Sequence, residues 1–272
     1  MAFRGPRNFK NFREKRRIED DDSEQSKSNN PVIQNFLIYR KELDNKHDRH
    51  EKLVKLSRDI TIESKRIIFL LHNIDARKNN KESVLTEAKE RLDKVINSNF
   101  ATIAYELVGH EIFQYMRAIS PALQEFIEAL TFYEFLSDKQ CSDWEVIKER
   151  LKYKHDELDE ISLHLAPAEY MLGFADNTGE IMRFCINSLG SGETDNCFKA
   201  CKFLQNIYAH FLSIGSVPNH GRDFSQKIST MKMSTLKTEH VCYQLKVRGT
   251  EGAKFPSLDI KLDNDDIDEG FY

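Results

Sequence analysis

Two pairs of acidic residues stand out because each pair lies in a segment that is otherwise apolar. Glu125 and Glu128 are three residues apart in ALQEFIEALTFYEF, and Asp176 and Glu180 are four residues apart in GFADNTGEIMRFCINSLG. Side chains at these spacings project from the same side of an α-helix. The remaining positions of 173–190 are so apolar that this helix is expected to be buried on nearly every side. Buried carboxylates need a cation, hydrogen-bond donors or a metal ion beside them.

These four carboxylates would suit a divalent metal ion if the fold brought them together. Crowded in a place of low dielectric, they would repel one another and take up protons unless a cation neutralised them. Carboxylate oxygens are hard ligands that suit Mg²⁺, with Mn²⁺ as a substitute. Such a cluster can position water and stabilise the charge of a phosphodiester during displacement. The Glu-x-x-His spacing of a ferritin-like di-iron centre is absent. The alternative is structural, because acidic pairs at this spacing are also common on ordinary helices.

Long helices are expected to position these residues. The chain has 272 residues with only 11 Gly and 6 Pro, and the 77 residues from Val32 to Val108 contain neither. That absence argues against a turn-rich β protein. The apolar periodicity predicts helices over about 31–73, 81–107, 110–136 with a kink at Pro121, 167–190, 195–214 and 224–247. A charged helical connection outside the core is predicted over 142–165.

Basic side chains supply candidate contacts for RNA phosphates. The formal net charge is −4, so no overall basic field indicates a nucleic-acid-binding protein, and local charge must decide. Arg58, Lys65 and Arg66 lie on the first predicted helix, where they either contact phosphates or form a solvated face. Arg183 extends the stripe of Asp176 and Glu180, where it either binds a substrate phosphate or pairs with Glu180.

The composition of the two ends predicts tails around one helical domain over 31–250. Residues 1–30 contain the basic run RGPRNFKNFREKRR and then an acidic, polar run, which predicts a disordered tail. The basic run favours a nuclear localisation signal, with an RNA-binding arm or a merely solvated tail as alternatives. Residues 251–272 form an acidic tail. Five scattered cysteines without zinc spacing, no signal peptide and no run of 18 apolar residues predict a cytoplasmic and nuclear protein without membrane association.

Four segments, in the same order, resemble the translin family: ELDNKHDRHEKLVKLSRDITIESKRIIFLLH, LQEFIEAL, YMLGFADNTGEIMRFCINSLGSGE and CYQLKVRGTE. The similarity runs from about Phe36 to Gly252. It implies an all-α fold, a translin-like bundle of roughly seven long amphipathic helices, that assembles with translin into a hollow hetero-oligomeric particle. Asn177 departs from the family pattern, which more often has an apolar residue there.

The resemblance also implies an activity. In this family the complex is a Mg²⁺-dependent endoribonuclease that cleaves single-stranded RNA. It removes the nicked passenger strand when the RNA-silencing machinery is activated, and it trims fragments of transfer-RNA precursors. Translin itself binds single-stranded RNA and DNA. The acidic catalytic residues of the family match Glu125, Glu128, Asp176 and Glu180 in this chain.

We therefore expect metal-assisted RNA hydrolysis by this chain. Glu128 and Glu180 are the expected metal ligands, and Asp176 and Glu125 complete the cluster or orient and deprotonate the attacking water. A metal-bound water would leave a 5′-phosphate, whereas attack by the RNA 2′-hydroxyl would leave a cyclic phosphate; the first fits a metal cluster better. Two other interpretations stay open: a non-catalytic helical scaffold that stabilises translin, and a nucleic-acid-binding module alone.

Overall fold

The computed structural model describes residues 30–154, 160–214 and 221–248. Most of these residues are helical, which confirms the all-α class predicted from the sequence. The predicted tail over 251–272 and all but one residue of the tail over 1–30 lie outside the described residues. None of the helices in the described ranges combines the length and the apolar composition that a membrane span needs.

Seven helices make up the described chain when α2 and α3 are counted as one. The π-helical segment Val95–Phe100 joins these two, so the chain stays helical over the predicted range 81–107. The helices are α1 (Pro31–Leu71), α2 (Lys81–Lys94), α3 (Ala101–Glu106), α4 (Met116–Leu136), α5 (Trp144–Arg150), α6 (Pro167–Ser191), α7 (Thr194–Ile214) and α8 (Gly221–Arg248). Short 3-10 turns at Ala76–Lys78 and Ile112–Gln114 lie between them.

Capping residues fix the ends of the two helices whose boundaries were predicted most sharply. At the start of α1, the backbone N–H of Val32 donates to Asn30 Oδ1 at 3.0 Å, as expected for a helix cap. Pro167 occupies the first position of α6, where its missing N–H costs nothing. At the other end of α6, Gly192 adopts a φ of 83°, a left-handed conformation that favours glycine.

The predicted helical connection over 142–165 is wrong in part. Among the described residues of this range, those of α5 alone are helical. Two antiparallel strands follow, β1 (Lys152–Lys154) and β2 (Glu160–Ser162), with Tyr153 opposite Ile161. Each strand is a polar–apolar–polar triplet, which is the period of a strand rather than of a helix. The segment is also part of the core, because Ile147, Ile161, Leu163 and Leu165 are buried.

The chain divides into two compact units between Leu53 and Val54. The described part of the first unit is the N-terminal part of α1. It carries ion pairs at i,i+4 spacing, such as Lys46–Glu42 at 2.8 Å. It also exposes the following large apolar side chains: Val32, Phe36, Leu37, Ile38, Tyr39 and Leu43.

The second unit contains the rest of α1 and all later elements. Helix α4 packs along α6, α6 also packs against α7 and α8, and these last two pack together. Its core includes Ile60, Ile67 and Leu71, which repeat on one face of α1 and are fully buried. Four of the five free cysteines are buried in α6, α7 and α8. The two acidic pairs lie in this second unit, on α4 and α6.

Candidate active site

Helices α4 and α6 approach each other closely beside the acidic residues. A Cβ atom at Gly173 would lie 2.6 Å from the backbone oxygen of Gln124, so glycine is needed for this approach. Gly173 precedes Asp176 by three residues, and Gln124 directly precedes Glu125. The helix contact therefore sets the two acidic pairs side by side.

A buried carboxylate fixes the same two helices about one turn away. Glu169 on α6 accepts hydrogen bonds from Ser120 Oγ and from Gln124 Nε2 on α4, both at 2.6 Å. Because each donor lies on the facing helix, this polar contact resists sliding of α6 along α4. Glu169 is thus a positioning residue for the acidic pairs.

Glu128 lies at the electrostatic centre of the acidic residues. Its pKa is raised to about 8, mainly because burial disfavours the charged carboxylate. The neighbouring negative charges that also raise this pKa are those of Asp176, Glu125 and Glu180, while Lys227 lowers it. The four carboxylates predicted as one site are therefore brought together. We call these four residues the carboxylate cluster.

Lysine side chains pair with two members of the carboxylate cluster. Lys65 Nζ on α1 lies 3.0 Å from Glu125 Oε1, and a hydrogen bond with Glu125 raises the pKa of Lys65. Lys227 on α8 donates to Asp176 Oδ1. Each cation is supplied by a helix other than the one that carries its carboxylate. The cluster is thus enclosed by α1 and α8 as well as by α4 and α6.

Glu180 is held by a histidine and an arginine. His72 Nε2, just after α1, lies 2.6 Å from Glu180 Oε2, and Arg183 Nη1 lies 3.2 Å from the same oxygen. Burial raises the pKa of Glu180, but the hydrogen bond and charge of His72, with the charge of Arg183, outweigh it, so the net pKa is lowered. The His72 ring also packs on Phe132, with centroids 4.8 Å apart. Glu180 is therefore both charged and fixed in orientation.

The donor set of the carboxylate cluster fits Mg²⁺ in its chemistry. Its oxygens are hard ligands, and Glu128 is the member for which the described residues show no cation or hydrogen-bond donor on the carboxylate. Within the described ranges, however, no three acidic, histidine or cysteine side chains converge closely enough to hold an ion. The ion pairs with Lys65, Lys227 and His72 draw the other carboxylates toward different partners.

The predicted phosphate-binding residues do not all occupy the same surroundings. Lys65 and Arg183 are paired with members of the carboxylate cluster, as described above. Arg66 is exposed and lies 3.7 Å from Glu63, and Arg58 is exposed on α1. Only Lys65 and Arg183 are therefore in direct contact with the cluster.

His72 and Lys227 are contacts of the cluster that sequence reasoning missed. His72 lies 108 positions from Glu180, and Lys227 lies 51 positions from Asp176, so no local spacing connects them. His72 directly follows the apolar run IIFLL at the end of α1, and this position was the one sequence signal that could have indicated it. Lys227 also borders a cavity of about 260 Å³ together with Asp176, Gln226 and Thr230.

The fold and this cluster define a class of all-α proteins with a carboxylate-rich site between long helices. The model of the Translin family matches residues 48–249, and the chain belongs to that family. It is 38% identical to Translin-associated protein X of Rattus norvegicus over 94% of this chain and 93% of the relative. It is 39% identical to the Mus musculus protein of the same name, over 88% and 87% of the two chains.

Solved structures share the fold. A structure described as an AfC3PO–duplex RNA complex matches with a TM-score of 0.57 and 22% identity. The match covers 79% of this chain and 98% of that one. At this identity the likeness establishes the arrangement of helices, in agreement with the all-α bundle predicted from the sequence.

Proposed function

We propose that this chain is the catalytic subunit of a hetero-oligomeric, Mg²⁺-dependent endoribonuclease formed with translin. The observation that carries the proposal is the position of Glu128 beside the other three acids: burial, and then the charges of Asp176, Glu125 and Glu180, raise its pKa to about 8. Strongly perturbed carboxylates of this kind mark sites of acid–base or metal chemistry. The substrate class is single-stranded RNA, with single-stranded DNA as a ligand.

The comparisons support the partner in this proposal and RNA as the class of ligand. Relatives over most of the chain carry the name Translin-associated protein X, and a structural relative was solved with duplex RNA. We infer a place for the complex in RNA silencing, where it removes the nicked passenger strand. The nuclear part of the predicted cytoplasmic and nuclear location rests on the basic run within 1–30, outside the described residues.

The four residues of the carboxylate cluster have different roles in this proposal. Glu128 and Glu180 would hold Mg²⁺ or Mn²⁺, which supplies charge neutralisation at the phosphodiester and lowers the pKa of bound water. Asp176 and Glu125 complete the cluster or orient and deprotonate the attacking water. His72 fixes the carboxylate of Glu180 through its 2.6 Å contact.

Cleavage of a labelled single-stranded RNA by the complex of this chain with translin tests the proposal. Wild type, Glu128→Gln and the control Glu87→Gln are compared with Mg²⁺ and with EDTA. Glu87 is an exposed carboxylate on α2, so its variant controls for the loss of one negative charge. We expect cleavage by wild type and the control that needs Mg²⁺, and a loss of at least about 100-fold for Glu128→Gln. A 5′-phosphate product would support water as the nucleophile, and a cyclic phosphate would support the 2′-hydroxyl.

One observation favours a second candidate function, a helical scaffold that stabilises translin. Glu125, Asp176 and Glu180 already have cationic partners in the fold, and such ion pairs can be purely structural. This interpretation predicts that Glu128→Gln assembles with translin and that RNA is cut equally by wild type and variant, or by neither. The same cleavage assay therefore decides between the two functions.

A further inference from the structure

A cavity of about 730 Å³ lies beside the carboxylate cluster, within the second unit. Its walls are the turn over 72–81, the end of α4, the C-terminal half of α6 and the start of α7. We call it the basic pocket. Its volume lies within the range of small-molecule binding sites, which extends from about 300 to 1,000 Å³.

Cationic side chains outnumber acidic ones on the walls of the basic pocket. The cations are Arg77, Lys78, Lys81 and Lys199, and the acids are Asp75 and Glu193. Asp75 already binds the Arg77 guanidinium at 3.1 Å. Lys78, Lys81 and Lys199, the last two of which share a single carboxylate, are therefore the residues that can meet an added anion.

A single carboxylate outside the pocket holds two of these lysines side by side. Asp138 accepts hydrogen bonds from Lys199 Nζ and, at 3.1 Å, from Lys81 Nζ. The pKa of Asp138 is lowered, first by the hydrogen bond from Lys199. Two ammonium groups that share one carboxylate keep one positive charge in excess, and their remaining N–H donors can meet phosphate oxygens.

Aromatic and amide groups complete the wall along α6. Phe184 is half-buried and meets Phe135 edge-on, with ring centroids 5.9 Å apart, while Lys199 Nζ lies 5.2 Å from the Phe135 ring. Asn187 and Asn196 also line the pocket. Cations beside aromatic rings and amides are the combination that binds nucleotides, because bases stack on rings and phosphates meet the cations.

His72 lines the basic pocket and contacts Glu180 of the carboxylate cluster. The His72 side chain is 9% exposed, and its Nε2 contacts Glu180. Its Nδ1 is buried and has no hydrogen-bond partner among the described residues, although buried polar atoms are normally satisfied. Along α6, the wall residue Phe184 follows Glu180 by four residues, about 6 Å at 1.5 Å per residue.

We propose that the basic pocket binds a nucleotide of single-stranded RNA next to the phosphodiester at the carboxylate cluster. This inference rests on the proposed function, and it adds the subsite that would hold the flanking part of the substrate. Lys78, Lys81 and Lys199 meet the phosphate oxygens, and Phe184 stacks on the base. Recognition of this kind is tolerant of sequence, because every base offers an aromatic face.

Binding of a fluorescent single-stranded oligoribonucleotide to the complex with translin tests this proposal. The titrations contain EDTA, so binding is measured without cleavage, and cover about 0.05 to 0.3 M salt. The variant is Lys78→Ser/Lys81→Ser. The matched control is Lys89→Ser/Lys94→Ser, which removes the same charge from exposed positions of α2 outside the pocket. Helical circular dichroism and co-purification with translin establish that each variant folds and assembles.

We expect the pocket variant to bind about 10-fold more weakly and to lose about 1.4 from the slope of log affinity against log salt, since each single-strand phosphate contact contributes about 0.7. The control is expected to keep the wild-type slope. Equal binding by the pocket and control variants, or no binding by the wild type, overturns the inference.

The two proposals fail in different ways in this design. If Glu128→Gln leaves cleavage unchanged but the pocket lysines are needed for binding, the proposed catalytic role is wrong and the pocket still binds RNA. If cleavage needs Glu128 while the pocket variant keeps wild-type affinity and KM, the pocket inference alone is wrong. Lys81→Arg provides a second check. Because this variant retains the positive charge, it should keep the wild-type slope of log affinity against log salt.

Discussion

The pKa of Glu128 predicts an unusual dependence of stability on pH. Its ordinary value is 4.5, and in the folded chain it is raised to about 8. A carboxyl whose pKa is raised by folding holds its proton more tightly in the folded state. The stability that this group contributes is therefore complete below pH 4.5 and is lost as the pH rises through about 8. Glu128→Gln removes the titrating group and keeps its size.

The size of the effect follows from these two pKa values. One pKa unit corresponds to about 1.4 kcal/mol of differential interaction. Integrated between about pH 5.5 and 8.5, the difference between 4.5 and about 8 lowers the free energy of unfolding of the wild type by about 3 kcal/mol. Protonated glutamate and glutamine are similar in shape and charge. We therefore expect equal stabilities near pH 5.5 and a Glu128→Gln variant that is more stable by about 3 kcal/mol near pH 8.5.

Urea unfolding followed by helical circular dichroism measures this difference. Both proteins are purified in the same state of assembly and studied with EDTA at fixed ionic strength, because a bound divalent ion would displace the proton from Glu128. Glu87→Gln serves as the control and is expected to follow the wild type at both pH values. If wild type and Glu128→Gln change in parallel from pH 5.5 to 8.5, Glu128 does not hold a proton in the fold and the electrostatic account of the cluster is wrong.

Three further perturbations test the surroundings of the cluster. Gly173→Ala places a Cβ against the backbone of α4 and should lower the free energy of unfolding in urea by about 2 kcal/mol. Gly179→Ala is the control: a Cβ there meets nothing within 4 Å, so this variant should be neutral or slightly stabilising. Equal losses in the two variants would mean that Gly173 does not determine the helix contact. Lys227→Met leaves Asp176 without its ion pair and should lower the Kd for Mg²⁺ by about 3- to 10-fold in calorimetry, and an unchanged Kd would mean that Lys227 does not compete with the metal. Both side-chain amide atoms of Asn177 are buried without a partner among the described residues. In urea unfolding, Asn177→Leu should raise the free energy of unfolding and Asn177→Asp should lower it, each by about 1 kcal/mol or more. A loss of stability in the leucine variant would show that the amide is satisfied.

The helices could be predicted from the sequence because their signals are local. The start of α1 at Asn30 and Pro31 and the end of α6 at Gly192 depend on capping residues next to the helix. The pairing of β1 with β2 was missed because its signal is not local. Three residues of alternating polarity on each strand are too short to reveal the period, and pairing of Tyr153 with Ile161 depends on a segment that is separate in sequence.

The four acids of the candidate site could be predicted from the sequence, but most of the cations that contact them could not. Glu125, Glu128, Asp176 and Glu180 are marked by helical spacing within each pair. Their convergence depends on the close approach of α4 and α6 at Gly173, which a glycine within an apolar helix only suggests. The pairing of Arg183 with Glu180 was one of the two sequence alternatives, because its i,i+3 spacing is local. The other cationic partners, Lys65, His72 and Lys227, lie on α1, just after it and on α8, and no local spacing connects them with the acids.

The cations that pair with the carboxylate cluster bear on its proposed use. Glu128 is protonated at neutral pH, because burial raises its pKa to about 8. Lys65, Lys227 and Arg183 each pair with one of the other three carboxylates, and His72 also contacts Glu180. The fold can thus accommodate four partly buried acids before any metal or substrate arrives, since cations lie beside the three that are paired. Under the proposed function, loading the cluster with a divalent cation would release the Glu128 proton and leave Lys65 and Lys227 free to meet the phosphates of the RNA. The same lysines would then stabilise the fold in one state and hold the substrate in the other.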